Sequence, residues 1–119
     1  MNNIATTIEQ SKHLLELGLG INSADMCLCK TAQDTWFLCA GTPGEYDAHT
    51  VPAWSLTALL EVMPKGTELV KMQNDAYGLY YEVDYMFTDY EDSDPITAAY
   101  EMVCWLLEQG LIKKGGNNE

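Results

Sequence analysis

The stretch from Asp94 to Leu111 constrains the fold more than any other part of the chain. Asp94 is a good N-cap, Pro95 suits the first helical position, and Gly110-Leu111 is a helix stop signal. Between them, Ile96 to Gln109 carries two apolar stripes. Ile96, Ala99, Tyr100, Val103 and Leu107 form one; Ala98, Met102 and Trp105 form the other. Only Thr97, Glu101, Cys104 and Glu108 make a polar strip. A helix this apolar is buried on most sides, or buries one side in a partner.

Two further helices are expected. The first runs from about Thr7 to Leu17, with Thr7/Gln10 or Thr6/Glu9 at capping-box spacing and Gly18-Leu19 as its stop. The second covers roughly Ala53 to Met63, where Leu56, Leu59, Leu60 and Met63 share one face and Pro64 and Gly66 follow. It begins either after Pro52 or at a Ser55 cap.

Two segments read as hairpins. Asp25–Lys30 and Thr35–Ala40 flank the polar turn Thr31–Asp34. Glu68–Gln73 and Leu79–Thr88 flank a second turn at 74–78. In the long strand of that hairpin, Tyr81, Val83, Tyr85 and Phe87 alternate with Tyr80, Glu82, Asp84 and Met86. The order α-ββ-α-ββ-α predicts an α+β fold: a mostly antiparallel four-stranded sheet with three helices on one face. At 119 residues the chain fits one domain, with an ordered core expected over 6–112 and a flexible tail over 113–119.

Trp54–Glu61, Asp94–Glu108 and the opening segment Glu9-Gln10-Ser11-Lys12 leading to Ser23-Ala24-Asp25-Met26 resemble a family of small acidic proteins. That family is encoded by gut anaerobes, their phages and their mobile elements. The resemblance spans nearly the whole chain. It rests on core and cap segments, so it implies a genetic neighbourhood and carries over no catalytic residues.

Charge narrows the function classes. Eighteen acidic residues face six lysines, arginine is absent, and the net charge is −12. Arginine is the usual residue for bidentate phosphate contacts and base readout. This balance argues against direct binding to nucleic acid or anionic membranes. The N-terminus shows no secretory pattern and no run has the length of a membrane helix, so a cytoplasmic protein with reduced cysteines is expected.

Four clusters are candidates for chemistry. Glu82, Asp84, Asp89, Glu91, Asp92 and Asp94 place six carboxylates within thirteen residues. Calcium-loop spacing fails, because a loop starting at Asp89 has Asp94 in place of the obligatory Gly and Tyr100 in place of the closing Glu. Capping accounts for Asp94, and favourable charge at a helix start for Asp92. The same run has a sharper reading: Glu82, Asp84, Asp89, Glu91 and Asp92, interleaved with Tyr80, Tyr85 and Tyr90, offer a candidate interaction surface for a basic protein, imitating a nucleic acid backbone. A solvated acidic edge is the plainer reading.

Cys27 and Cys29 share a strand face, with Cys39 on the partner strand. A pairing register summing to 66 sets Cys27 against Cys39; a sum of 65 turns them to opposite faces. Cys104 is a conceivable fourth ligand. Zinc sites favour longer Cys spacings on loops, so small buried hydrophobes are the simpler reading, and no metal or cofactor is expected.

In the loop 41–52, Asp47 and His49 are candidate acid–base groups, with Trp54 as a pocket neighbour and Ser55 close by. No nucleophile-elbow pattern surrounds Ser55, and a capping role explains it. His13, on the first helix, reads as a surface residue. Met102 and Trp105 are the candidate oligomer face, with core packing as the competing explanation. The reading that needs no unseen site is a non-enzymatic interaction or regulatory protein. A small-molecule-binding domain or minor enzyme using the 41–52 loop, and a homo-oligomer, are the alternatives.

Overall fold

A computed structural model describes residues 4–41, 49–71, 76–83, 86–92 and 94–112. The helices are α1 (Ile8–Glu16), α2 (Leu56–Val62) and α3 (Pro95–Glu108). The strands are β1 (Met26–Lys30), β2 (Trp36–Ala40), β3 (Thr50–Ala53), β4 (Glu68–Lys71), β5 (Tyr77–Val83) and β6 (Met86–Asp92). The class is α+β, but the strands form two three-stranded antiparallel sheets, ordered β2-β1-β3 and β4-β5-β6, in place of the expected four-stranded one.

Two local misreadings produce that difference. Thr50–Ala53 is a strand inside what the sequence offers as loop and helix start, and it pairs with the free edge of β1. Pro52 is tolerated there because β3 is an edge strand, where a missing N–H costs no ladder bond. The expected long strand 79–88 is two strands that fold back on each other, with Val83 opposite Met86.

The caps behave as local chemistry dictates. The Thr7 hydroxyl accepts from Gln10 N–H while the Gln10 side chain accepts from Thr7 N–H, completing a capping box. At the far end, Gly18 takes φ 101° and Leu19 N–H donates to the Leu14 carbonyl at 3.0 Å. Leu14 and Leu19 are both buried. That is the Schellman closure with its apolar contact. Gly110, at φ 74°, repeats it with Leu111 N–H on the Leu106 carbonyl at 2.9 Å. Ser55 caps α2, and its own N–H and hydroxyl donate to the Asp25 carboxylate.

The core gathers Leu14, Leu19, Trp54, Leu59, Leu79 and the inner faces of α3. Eight residues of α3 are buried: six from its two apolar stripes, with Leu106 and Cys104, the latter from the expected polar strip, while Tyr100 and Trp105 are half-buried. The helix packs on β5 and β6 through one side and on α1 and α2 through others. Trp54 joins the first sheet to the core. Its N–H donates to the Thr6 hydroxyl, Thr6 N–H donates to its carbonyl, and its indole N–H donates to the Ser23 hydroxyl at 2.9 Å. Thr6 and Ser11, both buried, share a 2.8 Å hydroxyl contact, so every polar group in this pin is satisfied.

Candidate functional sites

The second sheet sorts the acidic run into two sets. Leu79 is fully buried and belongs to the core cluster with α3. Positions in register with Leu79, or two residues away from it, therefore belong to the helix-covered side. Tyr90 is opposite Leu79, and Asp92 is opposite Tyr77. The alternate positions belong to the other side: Glu68 opposite Tyr80, Tyr80 opposite Asp89, Gly78 opposite Glu91, and Glu82 opposite Phe87. Tyr90 and Asp92 thus separate from Glu82, Asp89 and Glu91, with which the sequence groups them. Glu68, which the sequence reading passes over, joins the set. Asp84 lies outside the described residues.

Tyr80 is half-buried, and its ring folds back over Gly78. A Cβ placed on Gly78 would come within 2.9 Å of that ring. The glycine leaves room for an aromatic plate on the sheet surface between Glu68 and Asp89. Asp92 has a different role, because its carboxylate accepts from Asp94 N–H at 2.9 Å. Asp94 in turn accepts from Ile96 N–H and from the Thr97 hydroxyl, capping α3. Asp92 also lies near Glu101. Burial, and then the Asp92 carboxylate, raise the Glu101 carboxyl above its ordinary value.

Most of the candidate loop, positions 42–48, lies outside the described residues. Trp54 is fully buried. His49 is exposed, and its carbonyl accepts from Lys30 N–H at 2.8 Å, extending the β1–β3 ladder by one position. Asp47 lies outside the described residues.

The candidate oligomer face is also divided. Met102, at 0 % exposure, belongs to the core and is not available to a partner. Trp105 is half-buried and lines a shallow cleft of about 290 Å³ with His13, Tyr100, Glu101, Cys104 and Glu108. In this cleft His13 Nδ1 and the Tyr100 hydroxyl are 2.6 Å apart, and Cys104 Sγ is 3.8 Å from the same nitrogen. Burial, and then Cys104, push Tyr100 up to about 12; burial pushes Cys104 up to about 11. Both therefore stay protonated at neutral pH. His13 is exposed, as its place on the first helix suggests, but it has partners that its sequence context does not reveal. Its partners lie 87 and 91 positions away, beyond the reach of any local pattern.

The first sheet settles the cysteine register. Cys27 is opposite Cys39, a sum of 66, and Cys29 is opposite Phe37. Cys27 Sγ and Cys29 Sγ are 3.8 Å apart, and all three sulfurs lie within 4.8 Å of one another. The three are half-buried free thiols. Burial raises Cys29 and Cys39 above the ordinary thiol value. Cys104 is not part of this group; it faces His13.

No family model, curated protein or solved structure matches the chain. No helix among the described residues is long and apolar enough to cross a membrane.

Proposed function

We propose that the protein is a non-enzymatic interaction protein that offers the β4–β5–β6 sheet to a basic protein partner. The observation that carries this reading is the register of that sheet. It collects Glu68, Glu82, Asp89 and Glu91 at positions alternating with the buried Leu79, on the side away from α3. Acidic positions on neighbouring strands beside Tyr80 offer a basic partner the sign of charge that a nucleic acid backbone carries. The net charge of −12 without arginine adds long-range attraction for a basic surface and repulsion from nucleic acid and anionic membranes. The resemblance to proteins of phages and mobile elements fits a partner among host factors.

The test is a tagged pull-down at low salt with a high-salt wash, read by mass spectrometry. The expected partner is basic, stoichiometric and released by salt. Its capture should fall at least about tenfold for E82Q/D89N/E91Q, in line with the steepness of steered association. The helix variant E9Q/E61Q should retain it. An absence of any partner at either salt, or equal loss in both variants, removes this function.

A further inference from the structure

The first sheet holds a second feature, independent of the acidic face. We propose that Cys27, Cys29 and Cys39 form a three-thiolate site for one soft metal ion of the Cu(I) or Zn²⁺ class.

The geometry matches what such an ion needs. Three sulfurs each about 2.3 Å from one ion stand roughly 3.8–4.0 Å apart, whether the ion is trigonal or tetrahedral. Here the Cys27–Cys29 separation is 3.8 Å and no sulfur is more than 4.8 Å from another, so sub-ångström side-chain adjustment closes the site. The backbone sets this arrangement before any ion arrives. Cys27 and Cys29 alternate on one strand and therefore share a face, and Cys39 is the direct cross-strand partner of Cys27. The two strands are joined by a short turn closed by Thr31 N–H on the Thr35 carbonyl at 2.8 Å, so the register is held locally.

The donor set decides the ion. Among the described residues, the group contains sulfur only, with no carboxylate and no imidazole. Soft thiolates select Cu(I) and zinc over calcium, magnesium or manganese. Lys30 and His49, cross-strand neighbours through the Lys30 N–H, occupy the alternate positions of their strands and so belong to the other face. Lys30 is engaged there with Asp34, at 3.3 Å, and with the Trp36 ring. The thiols are half-buried, which leaves one position of the ion open toward solvent, the pattern of sites that exchange or hand on a ligand. The cross-strand pairing is also why the Cys-x-Cys spacing, unlike a zinc ribbon, is no obstacle: the third ligand comes from the neighbouring strand.

The experiment is a titration of the fully reduced protein with Cd²⁺, followed by thiolate-to-metal charge-transfer absorption. Saturation is expected at one equivalent per chain. C27S and C39S should each weaken binding at least about tenfold, in keeping with the loss of a ligand, and C104S should leave it unchanged. In a parallel measurement on the wild-type protein, Cd²⁺ should slow alkylation of Cys27, Cys29 and Cys39 together, mapped by mass spectrometry. No saturation at one equivalent, an equal loss in C104S, or alkylation rates indifferent to Cd²⁺ would overturn the proposal. The alkylation measurement needs no variant, so it decides the matter even if a serine destabilises the sheet.

Discussion

Thr6 does more than its size suggests. Its hydroxyl holds the Trp54 N–H and the Ser11 hydroxyl, and all three residues are buried. Thr6→Val keeps the shape and removes the acceptor. It should cost about 1–3 kcal/mol in urea denaturation, the penalty for stranding a buried donor. Asp94 carries the other local bond on which an element depends: D94A should cost about 1 kcal/mol as the α3 cap is lost. Glu101 works in the opposite sense. A carboxyl whose pKa is raised on folding binds its proton more tightly in the folded state, so stability falls as pH rises from the unfolded to the folded value. Above that window the penalty is fully present. Glu101→Gln should therefore raise the urea midpoint at neutral pH, and the gain over wild type should shrink on acidification through the carboxylate range. An unchanged difference across that range would mean the charge is not responsible.

At the scale of elements, what could be read in advance was what is decided nearby. The capping box at Thr7, the glycine stops at Gly18 and Gly110, the Asp94-Pro95 start and the β1–β2 hairpin each involve residues a few positions apart, and each is present in the structure. β3 was hidden because Thr50–Ala53 sits among turn-forming residues and contains a proline, and nothing local marks it as an edge strand. The β5–β6 reversal was hidden for the opposite reason. The alternation runs on through Asp84 and Tyr85 without a glycine, so a hairpin reads as one strand. That error carries weight for the candidate site. In a continuous strand Phe87 shares a side with Val83; in the hairpin it is opposite Glu82. The correct fold-back moves Asp89 and Glu91 onto the side of Glu82 and sends Tyr90 to the side of Leu79. The thiol cluster depended on one integer, the register sum, which the sequence left open between two values.

Over the whole molecule, the two sheets share no strand and are joined through the helices, chiefly by the Trp54 pin and α3. Removing the pin should therefore be felt globally. Trp54→Ala empties a fully buried site and should cost about 3–5 kcal/mol, a large share of an ordinary domain's stability, as seen in a markedly lowered thermal midpoint. Self-association through α3 has little left to use, since Met102 is internal and the helix is covered on most sides. Light scattering at neutral pH should find a monomer. A stable dimer would redirect attention to Trp105 and its cleft.

The strand β4 brings a further consequence, this one colloidal. It is the outer strand of its sheet, exposed along its length, and it presents Leu69 and Val70 at 37 % and 41 % exposure. Such a margin is a template on which further copies can grow, held off at neutral pH by mutual repulsion between highly charged molecules. The isoelectric point is near 4.2, so mild acidification removes that repulsion while leaving the margin in place. Clear solutions should turn turbid as pH approaches this value, and Val70→Asp, which charges the margin and adds to the repulsion, should shift the clouding to lower pH. A protein that settles at its strand margin in this way would be dispersed or gathered by acidity alone, whatever partner it meets in between.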